Sequence, residues 1–504
     1  MARGMALDFH TANLFRLVRA AADKHVRLDA SLVPKPWREA SEAYPTVRVD
    51  YLGAGLDVPA EDDDTPVRPL LARWYIAANN ALAPFYDDPT AWESPEQGRQ
   101  SIREAFGRYL PEPAVAWPDG GVELTELWAR QGFGAQRLER VAPGGPPDEA
   151  YVSSFEFLTK YPVRSGLLPF GGEVFLDRNG KATRARYLGE AFRPGDAGWD
   201  HATFAYRTSS LVWGTFDDHV CRTHYVLMNG QVLATKRRLA LAHPLRSFLA
   251  PFHYRTAAIN NGGTLTLVPK GGVFHRAAGF DWPTLQQTYS DCIAGYRYET
   301  FAQGCRRRGL TAEEVGPDFA TLFPYASDGL EYWTRVRAFV EDAFERSPAL
   351  QSATTTHGDA TKRWWDDQAA ALPGGLPAYG PEALRDLVAM AVFTGSGYHE
   401  HVGNVAPYVA NPPVAGGKIR AGQVMADRQV SMQYGVLACI TGLPMPKLME
   451  DFGHLMPDDA ARDAHGAFKA SLADWQVEVD ARNAGRSLQF HSFSPRTMSC
   501  SVSI

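Results

Sequence analysis

From Trp199 onward, apolar residues recur at the spacing of an α-helix, through residues 211–241, 330–344, 381–393 and 461–483. Runs this long bury one face of a helix against other helices and cannot alternate as strands. Strand signal is confined to the first half. It is best in residues 171–190, where Gly-Gly-Glu-Val-Phe-Leu-Asp-Arg-Asn-Gly-Lys-Ala-Thr-Arg-Ala-Arg-Tyr-Leu alternates about an Asn179-Gly180 turn. The expected fold is therefore mainly α, one large helical domain with a minor β-hairpin element.

Residues 30–120, rich in Pro, Asp and aromatics and carrying the acidic run Glu61-Asp-Asp-Asp64, read as helices joined by irregular crossings. A Pro/Gly loop, Ala142-Pro-Gly-Gly-Pro-Pro-Asp-Glu149, separates them from the remainder of the chain. Residues 11–28 are amphipathic, with Leu14, Leu17, Val18 and Ala21 on one side and Arg16, Arg19, Lys24 and Arg27 mostly on the other. A core-packed first helix is the favoured reading, and a lid or a helix touching a membrane surface is the alternative.

Among 504 residues, 45% are hydrophobic and 21% charged, ample for a globular core. A net charge of −6 without any basic run argues against nucleic-acid binding. Five scattered cysteines suit a reducing compartment better than a disulfide framework or a structural zinc site. Neither a secretory signal nor an 18-residue apolar stretch is seen, so the expected location is cytoplasmic.

Two places concentrate metal-ligating side chains. In Asp217-Asp218-His219-Val-Cys-Arg-Thr-His224 the two histidines are five apart. On a regular α-helix they would diverge by ~140°. An i→i+5 bulge would bring them onto one face, and such bulges gather at functional sites. The second place is Gly397-Tyr398-His399-Glu400-His401-Val402-Gly403-Asn404, where His399 and Asn404 repeat that spacing. His401 with Asn404 needs no bulge and is the rival pairing. Neutral imidazoles are common ligands of iron, copper and zinc.

Other segments resemble the lipoxygenase family. Leu233-Ala-Thr-Lys-Arg-Arg-Leu-Ala-Leu-Ala-His243-Pro-Leu is similar to its A-T-x-R-x-L-x-x-x-H-P-L helix, followed by family-like Ile259-Asn260 and Leu267-Val-Pro-Lys-Gly-Gly272. Phe323-Pro-Tyr-Ala-Ser-Asp328-Gly-Leu-Glu-Tyr-Trp333 resembles its Y-P-Y-x-x-D-G-L-x-I-W, and Ser501-Val-Ser-Ile504 its C-terminal signature. The resemblance covers residues 120–504. With no lipid-docking β-sandwich seen before it, the chain looks like bacterial members. We divide it into residues 1–120, a helical and irregular extension able to act as a lid, and residues 121–504, the lipoxygenase-like catalytic core, expected to be continuous with the extension.

The resemblance implies a ligand set. His219 and His224 match the first pair, His399 the third histidine through His-x-x-Val402, and Ile504 the ligand that binds by its main-chain carboxylate. The family's weak amide ligand falls where this chain has Gly403, so Asn404 stands one residue late, and His401 stays open as the third histidine. Gly214 replaces a further histidine of many members, and Thr215 and Pro407 stand near positions of their outer glutamines. His243 is read as structural, and His253 and His275 as packing or surface residues.

By the same resemblance, the expected function is a non-haem iron dioxygenase with one metal per chain and manganese as the alternative. It would insert O2 into the 1,4-diene of a polyunsaturated fatty acid to give a conjugated hydroperoxide. No catalytic group beyond the metal centre is expected. Leu245, Phe248, Leu249, Phe252, Ile259 and Ala277 are the candidate channel walls. A hydroperoxide isomerase and a non-catalytic lipid-binding homologue are the rival readings, and the protein is expected to act as a monomer.

Overall fold

A helix of 23 residues organises the second half of the molecule: α5 (Pro324–Arg346) begins with its proline in the first turn, where the missing N–H costs nothing. This computed structural model describes residues 39–53, 55–60, 90–107, 110, 115–441 and 445–502; the amphipathic segment 11–28 and Ile504 lie outside them. α5 packs against α6 (Pro381–Phe393) and α9 (Asp459–Ala484). Tyr332 stacks on Trp475 at 5.7 Å and Phe339 on Phe468 at 4.6 Å between ring centroids. The buried Asp328 of the Tyr-Ala-Ser-Asp motif accepts two hydrogen bonds from Arg486, at 2.8 and 2.9 Å. Glu331, one turn on, takes the Trp475 indole N–H at 2.8 Å. The motif therefore ties the segment after α9 back to the core.

Further helices surround this layer: α1 (Gly121–Gln131), α2 (Trp199–Trp213), α3 (Asn229–Arg238), α4 (Thr256–Thr266), α7 (His399–Gly403) and α8 (Arg428–Thr441). The fold is mainly α, as the periodicity requires. Between α2 and α3 the helix does not break; residues Gly214–Met228 are wound as a π-helix.

Strand content exceeds the single expected hairpin. That hairpin is present as β5 (Glu173–Leu176) and β6 (Ala182–Tyr187), with Asp177 N–H bonded to the Lys181 carbonyl at 2.8 Å and Gly180 at φ 70°. It sits inside an antiparallel meander β3-β4-β5-β6-β7, with β3 at Leu138–Arg140, β4 at Tyr151–Ser154 and β7 at Glu190–Phe192. β4 escapes pattern reading because its inward position is polar: Ser153 is fully buried and donates to the Gly134 carbonyl at 2.8 Å. A second hairpin, β1 (Thr46–Val49) with β2 (Leu56–Pro59), lies in the stretch expected to be helical or irregular. Its strands offer Val49 and Val58 to the core and are too short to show alternation. Glu126 of α1 accepts from Ala182 N–H and Lys181, both at 3.0 Å, docking the meander onto the helices.

Candidate metal centre

The π-wound stretch is what pairs two of the histidines. Hydrogen bonds here reach five residues back: Asn229 N–H bonds the His224 carbonyl, and Thr223 Oγ1 bonds the Asp218 carbonyl at 2.7 Å. Five residues then make about one turn, so His219 and His224 share a face. A single bulge would have sufficed; the structure winds 15 residues this way. Gly214 opens the stretch where a Cβ would come within 2.0 Å of the Phe133 ring, so no histidine could stand there without moving Phe133. A second π segment, Thr394–Tyr398, continues α6 into α7 and delivers His399.

The three imidazoles converge. Their Nε2 atoms are 3.1 Å (His219–His224), 3.2 Å (His219–His399) and 3.2 Å (His224–His399) apart, and all three residues are buried. Nitrogens this close without protons between them repel unless something positive joins them. The His224 proton can be placed by its neighbours: Asn260 Nδ2 donates to the His224 carbonyl at 3.0 Å, which leaves Asn260 Oδ1 to accept from His224 Nδ1 at 2.8 Å. Nε2 of His224 is thereby a lone-pair donor facing the cluster. Burial pulls the His224 imidazole down to about 4, against the opposing pull of Asn260. Burial, then His224 and His399, hold His219 well below its ordinary range. All of this favours neutral ligating rings. An ion ~2.1 Å from each nitrogen would see N–metal–N angles of ~95–100° at these separations, one face of an octahedron. The residues fit a divalent metal.

His401 is turned elsewhere. Its ring lies among Tyr325 (4.5 Å), Phe133, Phe490 and Phe493, and its Nδ1 is 3.0 Å from Ser492 Oγ. Burial alone brings it down to about 3. Asn404 caps α7 with its amide N–H bonded to Glu400 Oε1 at 3.1 Å, and no π turn follows His399 to carry it round. The structure thus groups His219, His224 and His399 and leaves His401 and Asn404 out of that group. Gly403, not Asn404, faces the imidazoles. Asn260 escapes motif reading as a functional residue, although it follows Ile259 in a family-like segment.

An apolar cavity reaches His219 and His224, lined by Ile259, Leu267, Val268, Phe274, Leu437 and Gly403 among others. Of the expected channel walls, Ile259 belongs to it. Leu245, Phe248, Leu249 and Phe252 are instead buried in the core, where Phe248 stacks on Phe339 at 5.2 Å. Ala277 is buried too, its carbonyl so close to Gly417 that a Cβ there would clash. His243 caps the helix Pro244–Leu249 through its ring nitrogen, a structural role.

On its outer side the π stretch carries buried charge. Asp217 accepts from Arg222 at 2.8 Å and Arg137 at 3.0 Å. Burial pushes the Asp218 carboxyl up, while Arg137, 3.3 Å away, opposes this.

The helical scaffold turns three buried imidazoles onto one point beside an apolar cavity, a group that could hold a metal ion. Residues 199–371 match the lipoxygenase family model. The chain is 28% identical over 246 residues to the linoleate 9/13-lipoxygenase of Pseudomonas aeruginosa, an alignment covering 47% of this chain and 34% of that protein. The match thus spans about a third of that relative's length. In fold, the chain resembles a LOX deletion variant solved in complex with arachidonate (TM-score 0.69, 15% identity, covering 92% of this chain and 80% of that one). It also resembles the manganese lipoxygenase of Gaeumannomyces graminis (TM-score 0.65, 15% identity, 91% and 96% covered). Among the described residues no helix is long and apolar enough to cross a membrane.

Proposed function

We propose that this chain is a non-haem iron dioxygenase that adds O2 to the 1,4-diene of a polyunsaturated fatty acid, giving a conjugated hydroperoxide. The observation that carries the proposal is the mutual approach of three buried Nε2 atoms within 3.1–3.2 Å at the wall of an apolar cavity. His219, His224 and His399 would hold one iron, with the main-chain carboxylate of Ile504 completing the set. Bound there, redox-active iron supplies the one-electron oxidant that a bis-allylic C–H bond requires. The chain's own part is placement. Ile259, Leu267, Val268, Phe274 and Leu437 line a small apolar cavity of about 40 Å³ beside the histidines, room to take a single methylene and keep water from it.

Linoleate and arachidonate are the substrates to try, on the strength of what the relatives are named for. Purified protein should carry close to one iron per chain, take up oxygen with either acid and develop conjugated-diene absorbance. Zinc or no metal after metal-replete expression, or silence on both lipids, overturns the proposal. Manganese is the second reading, favoured by the likeness to the manganese lipoxygenase, and the same elemental analysis separates it. If Ile504 ligates through its carboxylate, an added C-terminal residue abolishes activity while Ile504→Val is tolerated.

A further inference from the structure

We infer that Gly403 keeps a ligand position open on the metal for an exchangeable small oxygen or nitrogen donor, so that the protein offers one ligand fewer than its scaffold could. The inference rests on the metal-centre reading of the three histidines.

Gly403 is buried in the last turn of α7, one turn after His399. A Cβ built on it would lie 3.1 Å from His219 Nε2, 3.3 Å from His399 Nε2 and 3.5 Å from His219 Cε1. The direction in which a side chain would leave this backbone is the direction of the ligating nitrogens. Its backbone is not in the left-handed region, so conformation alone does not call for glycine here. What glycine contributes is an absent side chain. The neighbouring amide does not fill the space, because Asn404 is bonded to Glu400. Gly403 also lines the apolar cavity that reaches His219 and His224, so the open position faces the place where an acyl chain would lie. Water, a small anion such as azide, or the oxygen of a hydroperoxide has the size and donor chemistry to occupy it.

The test uses the full-length protein loaded with Mn2+, whose inner-sphere waters are counted by 17O electron–nuclear double resonance and water-proton relaxation. With three imidazoles and one carboxylate on a six-coordinate ion, about two exchangeable waters are expected in the unaltered protein. Gly403→Asn and Gly403→Ser should each lose one water and release metal to a chelator about tenfold more slowly. Gly403→Ala should not gain that retention. A single water or none in the unaltered protein overturns the inference, as does faster metal release in all three variants, which would mean that a Cβ merely crowds the rings. If the variants do not fold, the water count on the unaltered protein decides. Failure to bind Mn2+ or iron at all overturns the metal-centre reading itself, an outcome distinct from a low water count.

Discussion

Tyr398 donates its hydroxyl hydrogen to Asp218 at 3.3 Å, and each of them immediately precedes a histidine of the cluster. The bond therefore spans the two helical segments that carry His219 and His399, at the level of the rings. Arg137 holds the same carboxylate, so the tether is shared. Tyr398→Phe removes one oxygen and leaves the ring. Because this bond reaches the histidines only through the backbone, we expect metal retention to weaken by less than the roughly tenfold lost with a direct hydrogen-bond partner of a ligand. Competition against a chelator, read by elemental analysis, measures it. Unchanged retention would show that Arg137 and Arg222 fix the carboxylate without the tyrosine.

Asn260 should matter more, since it sets both the tautomer and the tilt of His224 through two bonds of 2.8 and 3.0 Å. Asn260→Leu is expected to lower metal affinity by about 10–100-fold. Asn260→Asp keeps the acceptor and should fall between the two. Equal affinity in the leucine variant and the unaltered protein would contradict the role given to this amide.

The neighbouring histidines of α7 should behave as opposites. His399→Ala is expected to purify without metal. His401→Phe, which suits the aromatic surroundings of that ring, should keep metal and most activity, and Asn404→Ala should remain metal-bearing. Metal loss in His401→Phe beside retention in His399→Ala would reverse the assignment.

Acid should destabilise the metal-free protein well before carboxylates titrate. Burial holds His224 and His243 down to about 4 and His401 to about 3. In the unfolded chain each takes up a proton near pH ~6.5. The unfolded state thus binds more protons between that pH and the folded values, so stability is complete above the window and falls as pH drops through it. Each such histidine adds a slope of about 1.4 kcal/mol per pH unit inside the window. The urea midpoint should therefore fall between pH 7.5 and 5, less steeply in His401→Phe. A flat midpoint across that range would count against neutral burial.

The helical class and the first histidine pair were legible because periodicity and spacing are local properties. A five-residue interval between two ligands admits few windings, and the structure uses the π form. The choice between His399 and His401 was not local. It depends on the π segment Thr394–Tyr398, whose residues carry no ligand, and on an aromatic cage drawn from Phe133, Tyr325, Phe490 and Phe493. Asn260 is 36 residues from His224 and stands on a separate helix, α4, so no pattern within one element relates the two. β4 stayed hidden because the buried Ser153 inverts the expected alternation.

The extended π winding also bears on how such a site can change by mutation. Each hydrogen bond in Gly214–Met228 reaches one residue further than in an ordinary helix, so the whole stretch shares a single reading frame. Substitutions leave that frame intact. Removing one residue between His219 and His224 would let ordinary α winding pair them at four apart, whereas adding one turns every later side chain away by ~100°. The centre is thus exposed to a single-codon insertion between its ligands, which could unpair both histidines without touching either.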